Sequence, residues 1–201
     1  MKEEDGKQAY AVYSKLISSR AWVPQNRHRV YIMAIRLMGR SSVPFKWPKT
    51  PRQPPDLSTI FDNASQSVKV DYDNYPLPAA GRSRDHVQDV LDKVKTYAKK
   101  TKTEPSEIAA IVDTGGSKVN WSINEAPTVT RTRGGSYAYW SLQHARYLEV
   151  KELLRLQGFT PENMDYSMLS KRSLGMAVGN SYSVPVIGAL MRAAIAAAEA
   201  Q

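Results

Sequence analysis

The sequence predicts an α/β fold: a layer of strands closed by a carboxy-terminal helix, with proline-rich connections between layers or lobes. Three observations predict it. Arg29-Val30-Tyr31-Ile32-Met33-Ala34-Ile35-Arg36 is a nearly continuous apolar run bounded by charges, the pattern of a strand buried in the centre of a sheet. The stretch from about 184 to 200 is alanine-rich and apolar on several sides, as suits a helix packed on such a layer. Between them, proline-rich connections separate one long amphipathic helix from several short strand-like runs.

Taken in order, residues 8–18 fit two templates. Tyr10, Val12 and Leu16 alternate as in a strand, whereas Ala9, Tyr13 and Leu16 share a helix face. The β-branched and aromatic content favours strand. After the run at 29–36, the stretch from Ser41 to Pro55 carries Pro44, Pro48, Pro51, Pro54 and Pro55, so it is an extended connection. Residues 72–81 are broken again by Pro76, Pro78 and Gly81. Ser83 then offers a cap for a helix whose Val87, Val90, Leu91, Val94, Tyr97 and Ala98 fall on one face. Its basic tail, including Lys99 and Lys100, suits either the helix dipole or contact with phosphate.

Ile108–Asp113 reads as a strand leading into the turn Thr114-Gly115-Gly116-Ser117. Residues 127–140 read as strand, glycine turn and strand, with Arg131 and Arg133 near the turn, where they could reach a DNA groove or its phosphates. A helix over about 150–157 ends at Gly158, placed as a left-handed cap, and Pro161 forbids its continuation. Ser183 can cap the last helix, with Pro185 in its tolerant first turn.

Composition narrows the functional classes. A hydrophobic fraction of 42% with 23% charged residues is that of a globular chain. No apolar run reaches the ~20 residues of a membrane helix, and the Met1-Lys2-Glu3-Glu4-Asp5 start has no apolar leader core. With no cysteine there is neither a disulfide framework nor a thiolate metal site, and an intracellular setting is expected. The net charge of +9 favours a polyanionic partner, nucleic acid first, because binding releases condensed counterions.

Three local patterns then line up. Val23-Pro24-Gln25-Asn26-Arg27-His28-Arg29-Val30 resembles the eighth conserved motif of the cytosine-5 DNA methyltransferase family, a proline-glutamine-x-arginine-x-arginine run entering a strand. Arg146-Tyr147-Leu148-Glu149, continuing through Glu152 and Arg155 to Gln157-Gly158-Phe159, is similar to the ninth. Val178-Gly179-Asn180-Ser181 with Val184-Pro185-Val186 is similar to the tenth. The order of the three is what makes the resemblance specific, and it covers essentially the whole chain.

The resemblance implies the carboxy-terminal portion of a Rossmann-like, S-adenosylmethionine-dependent methyltransferase sheet. Residues 1–44 would give terminal strands of the catalytic layer, 45–140 the target-recognition lobe, and 141–201 the ninth and tenth motifs with the closing helix. The substrate implied is double-stranded DNA, whose cytosine must leave the stack to be reached. Arg29 would hold the oxygen on carbon 2 of the flipped base, Arg27 would support the pocket and the adjacent phosphate, and Gln25 would order the loop. Asn180 and Ser181, with Tyr182 beside them, would lie at the cofactor, and backbone donors at the last helix's start would favour its carboxylate. Arg131, Arg133, Lys99 and Lys100 would contact DNA, whereas Arg146, Glu152 and Arg155 are read as structural. The setting is cytoplasmic for a bacterial or viral protein and nuclear for a eukaryotic one.

Departures from the family pattern are as informative. The family's Pro-Cys nucleophile, its glycine-rich turn and its Glu-Asn-Val-type acid segment precede the eighth motif, and none is present. Three readings follow: a split enzyme completed by a second polypeptide, a piece of a longer protein, or an inactive remnant that binds DNA or regulates a partner. In the first two the chain is not active alone. A DNA-binding module without chemistry is the reading outside enzymes. Trp22 stands where a glycine is usual, Glu149 where a capping threonine is usual, and Tyr182 where a small aliphatic is usual and could crowd the cofactor site. If the rest of the layer is absent, part of the sheet edge should be bare and apolar.

Overall fold

The computed structural model describes residues 9–38, 43–62 and 70–199. The charged Met1–Asp5 start, Gln8, Ser41 and Ala200, each part of an expectation above, lie outside the described residues. The chain forms two antiparallel sheets and five helices among the described residues.

The first sheet is the hairpin of β1 (Tyr10–Ser18) and β2 (His28–Arg36), in register from Tyr10 opposite Arg36 to Ser18 opposite His28. Strand therefore wins over helix at 8–18. Period-two alternation sends Ile17, Arg29, Tyr31, Met33 and Ile35 toward α5 (Val184–Glu199), where Tyr31, Val186 and Leu190 pack together. Phe45 and Trp47, on the proline-rich connection, cover the same side. The opposite face carries Val12, Leu16, Val30 and Ile32, with Val30 61% and Ile32 68% exposed. β2 is thus not the buried central strand its apolar run predicts. Both of its faces are apolar, but the chain covers one, and the bare surface is a sheet face more than an edge.

The second sheet has the order β4-β3-β5-β6, built from β3 (Ala110–Asp113), β4 (Asn120–Ile123), β5 (Tyr139–Ser141) and β6 (Arg146–Tyr147). β3 is buried along its whole length because helices cover both sides. Ala110, Val112 and Trp140 meet α1 (Arg82–Thr101) through Val87, Val90, Leu91, Val94 and Ala98. Ile111 and Tyr139 meet α3 (Val150–Leu156) and α4 (Lys171–Asn180) through Leu153, Leu154, Leu174 and Val178. Two of the expected details of α1 change. Gly81, at φ 72°, occupies the cap position without a side-chain bond and Ser83 lies inside the helix, while Tyr97 is exposed beside the buried stripe.

Residues 127–140 do not form the expected strand–turn–strand. Thr128–Thr130 is extended but joins no sheet, and α2 (Arg131–Gly135) follows at once. The reason is α4, which the sequence reading did not single out. A Cβ on Gly134 would lie 2.1 Å from the Gly175 carbonyl oxygen, and one on Gly179 would lie 2.3 Å from the Thr130 carbonyl carbon. The two backbones touch, so the glycines serve contact with α4 and not a hairpin turn. α3 needs no threonine cap, because Glu149 and Glu152 form a reciprocal capping box: the Glu149 side chain accepts the Glu152 N–H and the Glu152 carboxylate accepts the Glu149 N–H at 2.7 Å. Ser183 stands at the start of α5, but its Oγ is buried without a partner.

Gly134→Ala should therefore cost at least about 2 kcal/mol in chemical denaturation. Gly188→Ala, where a Cβ meets Arg192 Nη1 at an ordinary 3.4 Å, should be neutral or stabilising by up to about 1 kcal/mol. Burial alone pushes the Tyr72 hydroxyl up to about 12, and it has no hydrogen-bond partner among the described residues. The folded chain keeps that proton while the unfolded chain loses it near 10, so stability falls as pH rises from 10 to about 12. Tyr72→Phe should flatten that fall without loss of stability at neutral pH.

Candidate active site

The site begins where the Val23–Arg29 loop enters β2. Pro24 and Gln25 are pinned by exchange with the segment before α2: Asn26 N–H donates to the Ala126 carbonyl at 3.1 Å and Ala126 N–H to the Pro24 carbonyl at 2.7 Å. Thr128 Oγ1 donates to the Asn26 carbonyl at 2.6 Å. Gln25 is fully buried, and its Oε1 accepts from Gln157 Nε2 at 3.1 Å. The Gln157 carbonyl in turn accepts the Val184 N–H at 2.8 Å. One glutamine pair thus ties the loop, the end of α3 and the start of α5.

Arg27 is 3% exposed, and its guanidinium donates to three carbonyls: Val129, Gly179 at 3.0 Å and Ser181 at 2.8 Å. Burial, and after it the charge of Arg29, pulls this guanidinium down from its ordinary range. Where a phosphate contact was expected above, the guanidinium is instead turned inward, and it binds the 128–130 segment and the α4–α5 corner to β2. Arg29 is half-buried on the α5-facing side of β2, with Nη1 donating to the His28 carbonyl at 2.8 Å. Its Nε and Nη2 have no partner among the described residues. Tyr31 follows two residues on, its hydroxyl raised by burial, and its ring lies 5.9 Å from that of Tyr182.

Asn180 is the exposed last residue of α4. Ser181 Oγ donates to the Val178 carbonyl at 2.7 Å, and Tyr182 is exposed. The start of α5 offers fewer free donors than expected: Val184 N–H is bonded to Gln157, Pro185 has none, and Ile187 N–H is bonded to Ser183. An amide, a hydroxyl oxygen with acceptor capacity and an aromatic face remain, so these residues fit one side of a small-molecule site and not a complete cradle.

The structure brings Gln25, Arg27, Arg29, Asn180, Ser181 and Tyr182 together, with exposed Arg131 at the start of α2 against Gly179. Arg133 is not free to reach outward, because its Nε lies 3.2 Å from Asp113 Oδ1 at the end of β3. Lys99 and Lys100 are exposed at the end of α1, across the second sheet from α3 and α4. Arg146 grips Glu152 with two bonds, at 2.9 and 2.6 Å, and Arg155 binds the Ile60 carbonyl with Asp62 and Glu162, so the ninth-motif charges are structural as read. Two contributors escaped the sequence reading. Gln157 was read only as part of the ninth motif, and Tyr139, whose hydroxyl donates to the Thr128 carbonyl and accepts from Thr130 N–H, was given no role of its own within the run at 127–140.

A buried arginine and glutamine holding three chain segments around a half-buried arginine define the site of this α/β protein. Its family is clear from comparison: the model of the C-5 cytosine-specific DNA methylases matches residues 1–196, and the chain belongs to that family. It is 30% identical over 185 residues to the type II methyltransferase M.NgoBI of Neisseria gonorrhoeae, covering 90% of this chain and 49% of that protein. Type II methyltransferase M.HaeII of Haemophilus aegyptius is likewise 30% identical over 189 residues, 92% of this chain and 50% of its own length. The chain thus spans about half the length of these curated relatives. The fold is shared with the Entamoeba histolytica methyltransferase EhMeth at a TM-score of 0.51 and 17% identity, over 94% of this chain and 54% of that one.

Arg27→Met should cost about 3–5 kcal/mol in urea denaturation, since three carbonyls lose their donor inside the protein. Arg27→Lys should recover only part of it, because one ammonium cannot span the fork of acceptors.

Proposed function

We propose that this chain is the carboxy-terminal half or subunit of a DNA cytosine-5 methyltransferase. It provides target recognition, part of the flipped-cytosine pocket and part of the S-adenosylmethionine site. The observation that carries this reading is that the buried Arg27 guanidinium, two residues before Arg29, binds the Gly179 and Ser181 carbonyls on either side of Asn180, some 150 residues away in the chain. Family membership and coverage of about half of each relative support it.

The roles divide by exposure. Arg29 keeps donors free and is placed to bind the carbon 2 carbonyl of an extruded cytosine, stabilising charge that develops there when carbon 6 is attacked. Arg27 and Gln25 are positioning residues: both are buried and act by fixing the strand that carries Arg29. Asn180 and Tyr182 would hold the cofactor from one side, and S-adenosylmethionine supplies the methyl group when bound. Arg131 faces outward beside the pocket and suits contact with a DNA phosphate. The chain has no cysteine, so the thiolate that attacks carbon 6 must come from another polypeptide or from sequence beyond this chain. The exposed apolar face of the hairpin, Val12, Leu16, Val30 and Ile32, fits a surface that such a segment covers, completing a Rossmann-like layer.

The test mixes the purified chain with a candidate polypeptide carrying a Pro-Cys segment and follows labelled methyl from S-adenosylmethionine into DNA. Transfer is expected only in the mixture, and Arg29→Ala should reduce it by about 10²- to 10³-fold. Absence of transfer and of association, with tight salt-sensitive DNA binding by the chain alone, would leave a DNA-binding remnant instead.

A further inference from the structure

A second cavity, of about 570 Å³, opens beside the site at the Ser18–His28 end of the hairpin. Its lining combines cations and indoles: Lys15 and Arg52 with Trp22 and Trp47. Lys15 and Arg52 are exposed and have no carboxylate partner among the described residues, whereas Arg20, also in the lining, is paired with Glu125 at 2.7 Å. The Lys15 ammonium lies 5.8 Å from the Trp47 ring centroid, so charge and stacking surface stand on the same wall. Asn26 lines the cavity too. Trp22, Asn26 and His28 belong to the same loop and strand entry as Arg29, and Ile17, another lining residue, is the register partner of Arg29.

Unpaired cations suit a phosphodiester, and half-buried indoles at the cavity wall suit the face of a base. We infer that this cavity binds one nucleotide of the DNA strand flanking the base held by Arg29. Lys15 and Arg52 take its phosphate, and Trp22 and Trp47 take its base. The inference rests on the DNA reading of the active site. It gives a role to Trp22, which replaces the family's usual glycine and adds an aromatic wall. It also gives the proline-rich connection a role beyond a link: Pro48, Pro51 and Pro54 line the cavity, and their fixed backbone angles hold Trp47 and Arg52 at its rim.

The experiment measures binding of the full chain to a fluorescein-labelled DNA duplex by anisotropy across a salt series. Lys15→Ala with Arg52→Ala should weaken binding and make the log–log salt dependence shallower by about 1, for the one phosphate that the two cations share. Trp22→Leu should weaken binding about tenfold with the salt slope unchanged, as loss of stacking does. Lys15 and Arg52 are exposed, so their double variant should keep the wild-type melting temperature, and it decides the matter if Trp22→Leu folds poorly. Wild-type affinity and slope in the double variant, while Arg131→Ala weakens binding, would overturn the cavity and leave the DNA reading standing. No salt-sensitive DNA binding by the wild-type chain would overturn both.

Discussion

Arg27 is the constraint on which the arrangement of the site depends. A guanidinium is costly to bury unless its donors are matched, and here three carbonyls from two distant segments converge on it. Those carbonyls belong to Val129, before α2, and to Gly179 and Ser181, at the α4–α5 corner. Satisfying one side chain therefore fixes three pieces of chain around the start of β2. The Gln25–Gln157 pair repeats the device one step earlier in the loop, reaching the end of α3 and, through the Gln157 carbonyl, the start of α5.

The rest of the packing is what lets those carbonyls arrive. Gly134, Gly175 and Gly179 allow α2 and α4 to meet backbone against backbone, which puts the Val129 and Gly179 carbonyls within reach of the same guanidinium. Tyr139 is buried in the second sheet and holds Thr128 and Thr130 with its hydroxyl, so the extended segment is aligned from below as well. Arg29 benefits indirectly. With Arg27 fixed, its neighbour two residues on points the same way along β2 and keeps donors available.

The hairpin is less self-sufficient. One face is matched to α5 and the aromatic strap, and the other presents four large aliphatic side chains to solvent. Such a surface is uncommon on a chain that acts alone. It accounts for an apolar run that looks, in sequence, like a strand buried on both sides.

Much of this was legible. The sequence by itself determined the strands at 10–18 and 28–36, the amphipathic helix at 82–101, the left-handed Gly158 and the three ordered motifs, because periodicity and turn chemistry are local properties. It also determined which residue types gather at the site, since Gln25, Arg27, Arg29, Asn180 and Ser181 were named from the motifs alone. What tertiary structure decided was the task of each. Arg27 and Arg29 are both arginines beside one strand, and only long-range packing makes one a buried clasp and leaves the other with free donors. Arg133 looked equivalent to Arg131 until the end of β3 placed Asp113 under it. The glycines at 134 and 135 read as a turn because their real partner, α4, lies some forty residues away in the chain. Local pattern sets the conformations that a segment can adopt, but burial and pairing are properties of neighbours that the sequence does not place side by side.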